Sequence, residues 1–515
     1  MKRSDINPDD LKHNLNDLKH PENPVTTQAP DLAGYSLEKK IGGILGPLLF
    51  ILIKLLPLFP DGITNNGITV IALAAWMLVW WVTETVPLAV TALLPLVVFP
   101  FFDVLSIKAT AAPYANPIIF LFMGGFIVAL AMEKWKLHLR IALSIVKVTG
   151  TSANQIILGF MLATAFLSMW ISNTATTVMM LPIATSIILL LSSNNEKTPE
   201  KNKKNFAISM MLGIAYAASI GGIATLIGTP PNAIFGGFMK ETYNIEIDFF
   251  RWMLIGIPFS SVMMVILYFV LTKLIYPNHL KELKGGKELI EEKYNELGPM
   301  GWEEKSVAIV FVLSAFLWTF RSLINQYAPI QLNDSSIAIF VSVLLFIIPT
   351  NQSDGTFILA WKDTEKLPWG VLVLFGGGLS MASALGNAGV IEFLGEAISN
   401  STSIQGVFMM LLLITIMLFA TEVMSNTALA TIFLPVVGGV AVALGHDVLT
   451  FAAPVAMAAS CAFMLPMATP PNAIVFASGH ITVKQMVRIG IILNIISVLL
   501  LTLLSQTLVP IVFNG

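Results

Sequence analysis

Residues 169–182 read MWISNTATTVMMLP, and they set Ser172, Asn173, Thr174, Thr176 and Thr177 in the middle of the apolar block 153–192. A plain membrane span takes about 20 apolar residues and seldom carries polar groups at its centre. Ser, Asn and Thr in series are helix-start chemistry: their side-chain oxygens accept from the first amides of a helix, while the remaining unpaired amides point outward. The stretch is therefore expected to form the tip of a helical hairpin that enters and leaves by one face.

The rest of the chain agrees with a membrane setting. Of 515 residues, 56% are hydrophobic and 12% charged, and the mean hydropathy of +0.79 departs far from a soluble domain. A formal net charge of −2 gives no basic balance for nucleic acid. The single cysteine, Cys461, excludes an intrachain disulfide framework or a cysteine-rich metal site and reads as packing. Residues 1–40 are polar, hold several prolines and lack the apolar core of a cleaved signal, so they read as a flexible cytoplasmic tail.

Membrane spans are expected at 41–58, 66–83, 87–102, 116–133, 206–239, 249–275, 306–324, 335–349, 368–387, 450–479 and 485–513. Two longer blocks, 153–192 and 404–444, each carry SNT near the middle. With both blocks as hairpins, the eleven spans put the termini on opposite faces. An inside N-terminus places 24 of the 29 Lys and Arg on the cytoplasmic side and only Lys108, Lys240, Arg251 and Arg321 outside, the expected positive-inside bias. Lys54, within the first span, is expected to snorkel or face protein rather than bind substrate.

An internal repeat runs through the same segments. FLFMGGFIVALA (120–131) returns as LVLFGGGLSMAS (372–383), SMWISNTATT from Ser168 as TEVMSNTALA from Thr421, and IGTPPNAI (227–234) as PMATPPNAIVF (466–476). Each copy reads apolar span, SNT block, span broken at TPPNA, final span. The copies begin on opposite faces, which makes an inverted repeat of the kind found in secondary transporters. In TPPNA the paired prolines remove two amide donors and break the helix. Carbonyls upstream are then expected to be free for a cation, and the next half-helix N-terminus offers partial positive charge to an anion. Two polar tips and two breaks related by inversion converge most simply on one site near the bilayer midplane.

With these motifs in place, the chain resembles the divalent anion:sodium symporter (DASS) family, and within it the INDY-like dicarboxylate transporters. The resemblance covers nearly everything after residue 40 and rests on both SNT motifs, both TPPNA motifs and WWVTETVPLAVTALLPLVVFP (80–100). It implies an all-α polytopic homodimer with eleven transmembrane helices, two re-entrant hairpins, a scaffold and an elevator-type transport domain. The expected organisation is a tail (1–40), N-terminal scaffold helices (41–110), a first repeat (111–276), a charged cytoplasmic loop (277–305), connecting scaffold helices (306–349) and a second repeat (367–515).

By the same resemblance, Ser172, Asn173, Thr174, Ser425, Asn426, Thr427, Thr469 and Pro470 would hold the substrate carboxylates. One sodium site would use Ser168, Ser172, Asn173 and Gly228, and the other Thr421, the Met424 backbone, Asn426 and Ala468. A 253-residue shift pairs Ser168 with Thr421 and Asn173 with Asn426, and a 240-residue shift pairs Gly228 with Ala468. The match fails at Met169 against Glu422. Glu422 admits a proton-linked role and, more economically, that of a hydrogen-bonded carboxyl behind the tip. The glycines at 124–125 and 376–378 are expected to serve close helix packing.

No Lys, Arg or His lies in 168–182, 219–239, 421–435 or 460–479. A dianion would be received without a fixed cation, which favours mobile Na⁺ as the compensating charge. The expected activity is Na⁺-coupled symport of succinate, fumarate, malate or 2-oxoglutarate across the cytoplasmic membrane, with sulfate competing weakly and citrate undecided. Dicarboxylate exchange without Na⁺ remains open on the same fold. An intramembrane enzyme built on Ser172 or Ser425 would need a base beside the serine, and His138, His446 and His480 are expected at loops or interfaces. No cofactor is expected.

Overall fold

The computed structural model describes residues 36–56, 63–194, 199–280, 285–351, 355–391, 393 and 406–514. Residues 1–35 of the expected tail, and Gly515, lie outside them. The described residues form helices and loops and no β-sheet, a single bridge pairing Pro349 with Phe357. Among them, nine helices are long and apolar enough to cross a membrane.

The first two helices, α1 (Leu37–Leu55) and α2 (Asn65–Thr83), pack side by side. Lys54 bridges them: its Nζ donates to Asn65 Oδ1 at 3.2 Å and Thr69 Oγ1 at 2.8 Å, and lies over the Phe102 ring. It faces protein, as expected. The segment expected as a single span over 87–102 is instead two short helices, α3 (Leu88–Thr91) and α4 (Leu94–Phe101). Pro95, in the first turn of α4, has no amide to continue the ladder back to Thr91. The Ala92 carbonyl accepts from Tyr114 Oη at 2.5 Å.

After a short helix, α5 (Ile107–Ala111), the chain enters α6 (Pro117–Lys134), α7 (Leu137–Thr149) and a helix pair, α8 (Ala153–Ser168) and α9 (Asn173–Asn194). Next come α10 (Glu200–Ile223), α11 (Pro230–Tyr243) and α12 (Phe249–Phe269), the last extended by a π-helical turn. Every residue of α10 from Asn205 to Ile223 is buried, so this helix is the axis on which α8, α9 and α12 pack. A helix apolar on all sides can sit only in such a position or in lipid.

The remaining helices are α13 (Gly286–Glu296), α14 (Trp302–Tyr327), α15 (Asp334–Ile347), α16 (Trp369–Asn387), a second pair α17 (Val407–Ala420) and α18 (Asn426–Ala443), then α19 (Val448–Ala458), α20 (Pro470–Ala477), α21 (Val483–Gln506) and α22 (Leu508–Asn514). The span expected over 485–513 is thus interrupted at Thr507. His138, expected at a loop or interface, lies within α7 and is buried there.

The repeated glycines mark helix crossings. A Cβ at Gly124 would stand 2.6 Å from the Ala338 backbone of α15, and one at Gly377 would strike the Ala92 carbonyl. At Gly125 its three nearest neighbours would be side-chain atoms of Ile227, at 3.3–3.6 Å. Gly377→Val should therefore destabilise the protein by about 1–3 kcal/mol through overpacking against backbone, read as a lower melting temperature in detergent. Gly125→Ala should melt close to the wild type.

Candidate functional site

Two helix pairs meet at polar tips. Ser172 caps α9 by accepting from the Ala175 amide at 3.2 Å, and Ser425 caps α18 by accepting from Ala428 at 3.4 Å. The SNT motifs thus start helices in both copies.

Two broken helices face the tips. α10 ends at Ile223 and α11 begins at Pro230, whereas α19 ends at Ala458 and α20 begins only at Pro470. The freed carbonyls do not all await a cation, contrary to the sequence expectation. Asn232 Nδ2 donates to Gly222 O at 3.3 Å and Thr225 O at 2.7 Å. In the other copy Asn472 Nδ2 donates to Ala462 O at 3.1 Å and Leu465 O at 3.0 Å. These are equivalent contacts at the 240-residue shift. Thr469 Oγ1 accepts from the Asn472 amide at 3.3 Å, and Thr229 and Ser460 share a hydroxyl contact of 3.2 Å that ties the two breaks together.

Behind each tip, oxygens crowd around one hydroxyl. Ser168 Oγ lies within hydrogen-bond reach of both Asn173 Oδ1 and Ala218 O. Thr421 Oγ1 lies 2.6 Å from Asn426 Oδ1 and 2.9 Å from Ala459 O. One proton cannot serve two acceptors fully. Gly222 and Gly228 close the first cluster, since a Cβ at Gly222 would fall 2.6 Å from Asn173 Oδ1 and 3.0 Å from Gly228 O. Neutral oxygens from hydroxyls, amides and carbonyls suit a hard cation. Sequence reasoning missed Ala218, Ala459 and Gly222; only the paired glycines of SIGGI (219–223) hinted at the last.

A cavity of about 1010 Å³ joins the parts. Its walls include Ser172, Asn173, Thr174, Gly228, Met424, Ser425, Asn426, Thr427, Ala468, Thr469 and Pro470. Ser168 and Thr421 are fully buried at 0% exposure. The tips and breaks bring no cationic side chain, but Lys39 and Lys366 line the cavity with Glu38, Glu84 and Glu133, all at or beside helix ends. A recess of about 300 Å³ beside the first tip is lined by Glu133, His138, Ser172 and Thr174. His138 Nδ1 contacts Met132 O at 2.7 Å, and burial holds the imidazole below its ordinary pKa, against the opposing pull of that carbonyl and Glu133. Burial thus disfavours a positive charge on the ring. No hydrogen bond joins it to Ser172 among the described residues.

The tips differ in what anchors them. Trp170 packs among Phe249, Phe311 and Trp318, with ring centroids 5.0–6.4 Å away, and Thr225 Oγ1 donates to the Met169 carbonyl at 2.5 Å. At the second tip the Glu422 carboxylate accepts from the amides of Phe463, Met464 and Leu465 and from Asn494 Nδ2.

Comparison with known proteins agrees with this architecture. A family model described as the sodium:sulfate symporter transmembrane region matches residues 39–513. A sodium-dependent dicarboxylate transporter, SdcS, of Staphylococcus saprophyticus subsp. saprophyticus is 43% identical over 481 residues, 92% of each chain. SdcS of Staphylococcus aureus strain USA300 is 43% identical over 484 residues, 93% of each chain. In fold, the chain is similar to the Alcanivorax borkumensis YdaH transporter (TM-score 0.55, 13% identity, 77% of this chain and 86% of that one). It is also similar to Neisseria gonorrhoeae MtrF (TM-score 0.56, 12% identity, 91% and 94%). With helices that can span a bilayer, paired tips and breaks around one cavity, and relatives this close along nearly its whole length, the chain is a multi-pass membrane transporter, not an enzyme, and belongs to the sodium:sulfate symporter family, the divalent anion:sodium symporters.

Proposed function

We propose that this protein carries C4 and C5 dicarboxylates (succinate, fumarate, malate and 2-oxoglutarate) across the cytoplasmic membrane by Na⁺-coupled symport; its SdcS relatives are sodium-dependent dicarboxylate transporters. The observation that carries the reading is the pair of oxygen clusters behind tips that lack any cationic side chain. Each carboxylate taken out of water costs several kcal/mol unless compensated. A helix N-terminus returns only about 0.3–2 kcal/mol. Cations held at Ser168, Ser172, Asn173 and Gly228, and at Thr421, Met424, Asn426 and Ala468, would supply the remainder. The carboxylates themselves fall to Ser172, Asn173, Thr174, Ser425, Asn426, Thr427, Thr469 and Pro470.

In this reading the chain is a homodimer in the cytoplasmic membrane, N-terminus inside and C-terminus outside, with eleven spans and two re-entrant hairpins. Residues 111–276 and 367–515 form the inverted repeat, and the tips and breaks travel together as an elevator against scaffold helices from 41–110 and 306–349. The wall residues Lys39, Glu84, Glu133 and Lys366 then belong to the cytoplasmic end, so the cavity is that of an inward-facing state.

Asn173→Ala and Asn426→Ala should each lower succinate uptake into proteoliposomes at least about tenfold, because each removes a group shared by ion and substrate and with it their coupling. Ser168→Ala and Thr421→Ala should chiefly raise the Na⁺ concentration for half-maximal uptake. Wild-type uptake into empty vesicles should collapse when choline replaces Na⁺. Robust counterflow that needs internal succinate and persists unchanged in choline would make the protein an exchanger and remove the sodium roles.

Orientation has its own test. In a Cys461→Ala background, Thr507→Cys should react with an impermeant thiol reagent applied to intact cells and Lys293→Cys should not. Protection of both would overturn the odd span count.

A further inference from the structure

The two oxygen clusters are built from matching residues, yet their surroundings differ by one charge. Glu422 directly follows Thr421 and is 3% exposed. Oε1 accepts from the amides of Phe463 at 2.8 Å and Met464 at 2.9 Å; Oε2 accepts from Met464 and Leu465, both at 3.1 Å. Asn494 Nδ2 adds a contact of 2.7 Å to Oε1. Every one of these contacts is a donor to the Glu422 carboxyl, an arrangement that suits a carboxylate acceptor.

No ion pair to Glu422 occurs among the described residues. Amide dipoles lower the cost of a buried anion without cancelling its net charge. The second oxygen cluster is the place where a countercharge can sit: Thr421 is the neighbouring residue, and Ala468 lies three residues beyond Leu465, whose amide Glu422 holds. In the first copy the corresponding residue is Met169, which carries no charge.

Resting on the sodium reading above, we infer that Glu422 is the resident countercharge of the second cation position, which therefore fills before, and more tightly than, the position built on Ser168. A unit charge within about 10 Å, at an effective dielectric of about 20, alters cation affinity roughly tenfold. Glu422 is thus a positioning and charge-supplying residue rather than a ligand, and the order of Na⁺ binding follows from a single asymmetric site in a symmetric frame.

Na⁺-dependent thermal stabilisation of the purified protein tests this at pH 8, with choline chloride holding ionic strength constant. Glu422→Gln should raise the Na⁺ concentration for half-maximal stabilisation about tenfold. Asn494→Ala, which keeps the charge and removes one donor, should lower that concentration or leave it unchanged. In the Glu422→Gln background, Thr421→Ala should add little further shift and Ser168→Ala its full shift. If Glu422→Gln cannot be purified, the direction of the Asn494→Ala shift decides, because losing a mere brace would raise the Na⁺ requirement. An unshifted Glu422→Gln, or an equal rise in both variants, overturns the inference while leaving sodium coupling intact. A wild type whose stability ignores Na⁺ would strike down the sodium reading itself, and this inference with it.

Discussion

Backbone in a membrane interior has no water to turn to, so each residue between α10 and α11, and between α19 and α20, needs a partner from the protein itself. Asn232 and Asn472, both fully buried, meet part of that demand by reaching back across their breaks. Removing either amide would leave buried carbonyls unpaired at about 1–3 kcal/mol each. These two side chains fix where each helix stops, and hence where the Ala218, Ala459 and Gly228 carbonyls and the N-termini of α11 and α20 can point. Everything proposed for the cavity depends on that placement.

The duplication supplies a frame, and the departures from it decide which parts are held in which way. At the first tip Trp170 is clasped by three aromatic rings. Its counterpart Val423 is 61% exposed and lines the cavity. The second tip is instead held by polar contacts from Glu422 to a break that is longer, 459–469 against 224–229. Amides 463–465 lie outside any helix, and a carboxylate is the single side chain able to accept from three of them at once. The first tip is anchored by aromatic packing and one hydrogen bond from Thr225, the second by a fan of hydrogen bonds to one carboxyl group.

Much of this was legible because it breaks a strong background. Against apolar spans, SNT and TPPNA stand out, and both place helix starts where the structure has them, at Asn173, Pro230, Asn426 and Pro470. The missed features depend on residues far apart in sequence. TPPNA displayed Asn232 and Asn472 openly, but the prolines drew the reading, since only folding brings the asparagine side chain back over carbonyls seven and ten residues upstream. Glu422 was expected as a hydrogen-bonded carboxyl behind the tip, but its partners, amides 41–43 residues away, were not readable from the motif. Likewise the division at Ala92 becomes intelligible only with Tyr114 across from it, and the burial of His138 only with α7 folded back onto the core.

On the proposed site assignment, coupling would run through the two SNT asparagines. Asn173 and Asn426 turn Oδ1 toward Ser168 and Thr421, and both residues line the cavity. In that assignment each amide would keep its acceptor end in an oxygen cluster and offer its Nδ2 to a carboxylate in the cavity. A cation on Oδ1 would draw electron density from Nδ2 and make it a stronger donor to carboxylate, the cooperative polarisation expected of hydrogen bonds in low dielectric. Withdraw the cation, and the same amide would face a dianion with a weaker donor and no charge in the oxygen cluster behind it. Ion and substrate therefore need not touch to depend on one another, and because linkage is reciprocal, a dicarboxylate in the cavity must tighten the cations by the same free energy.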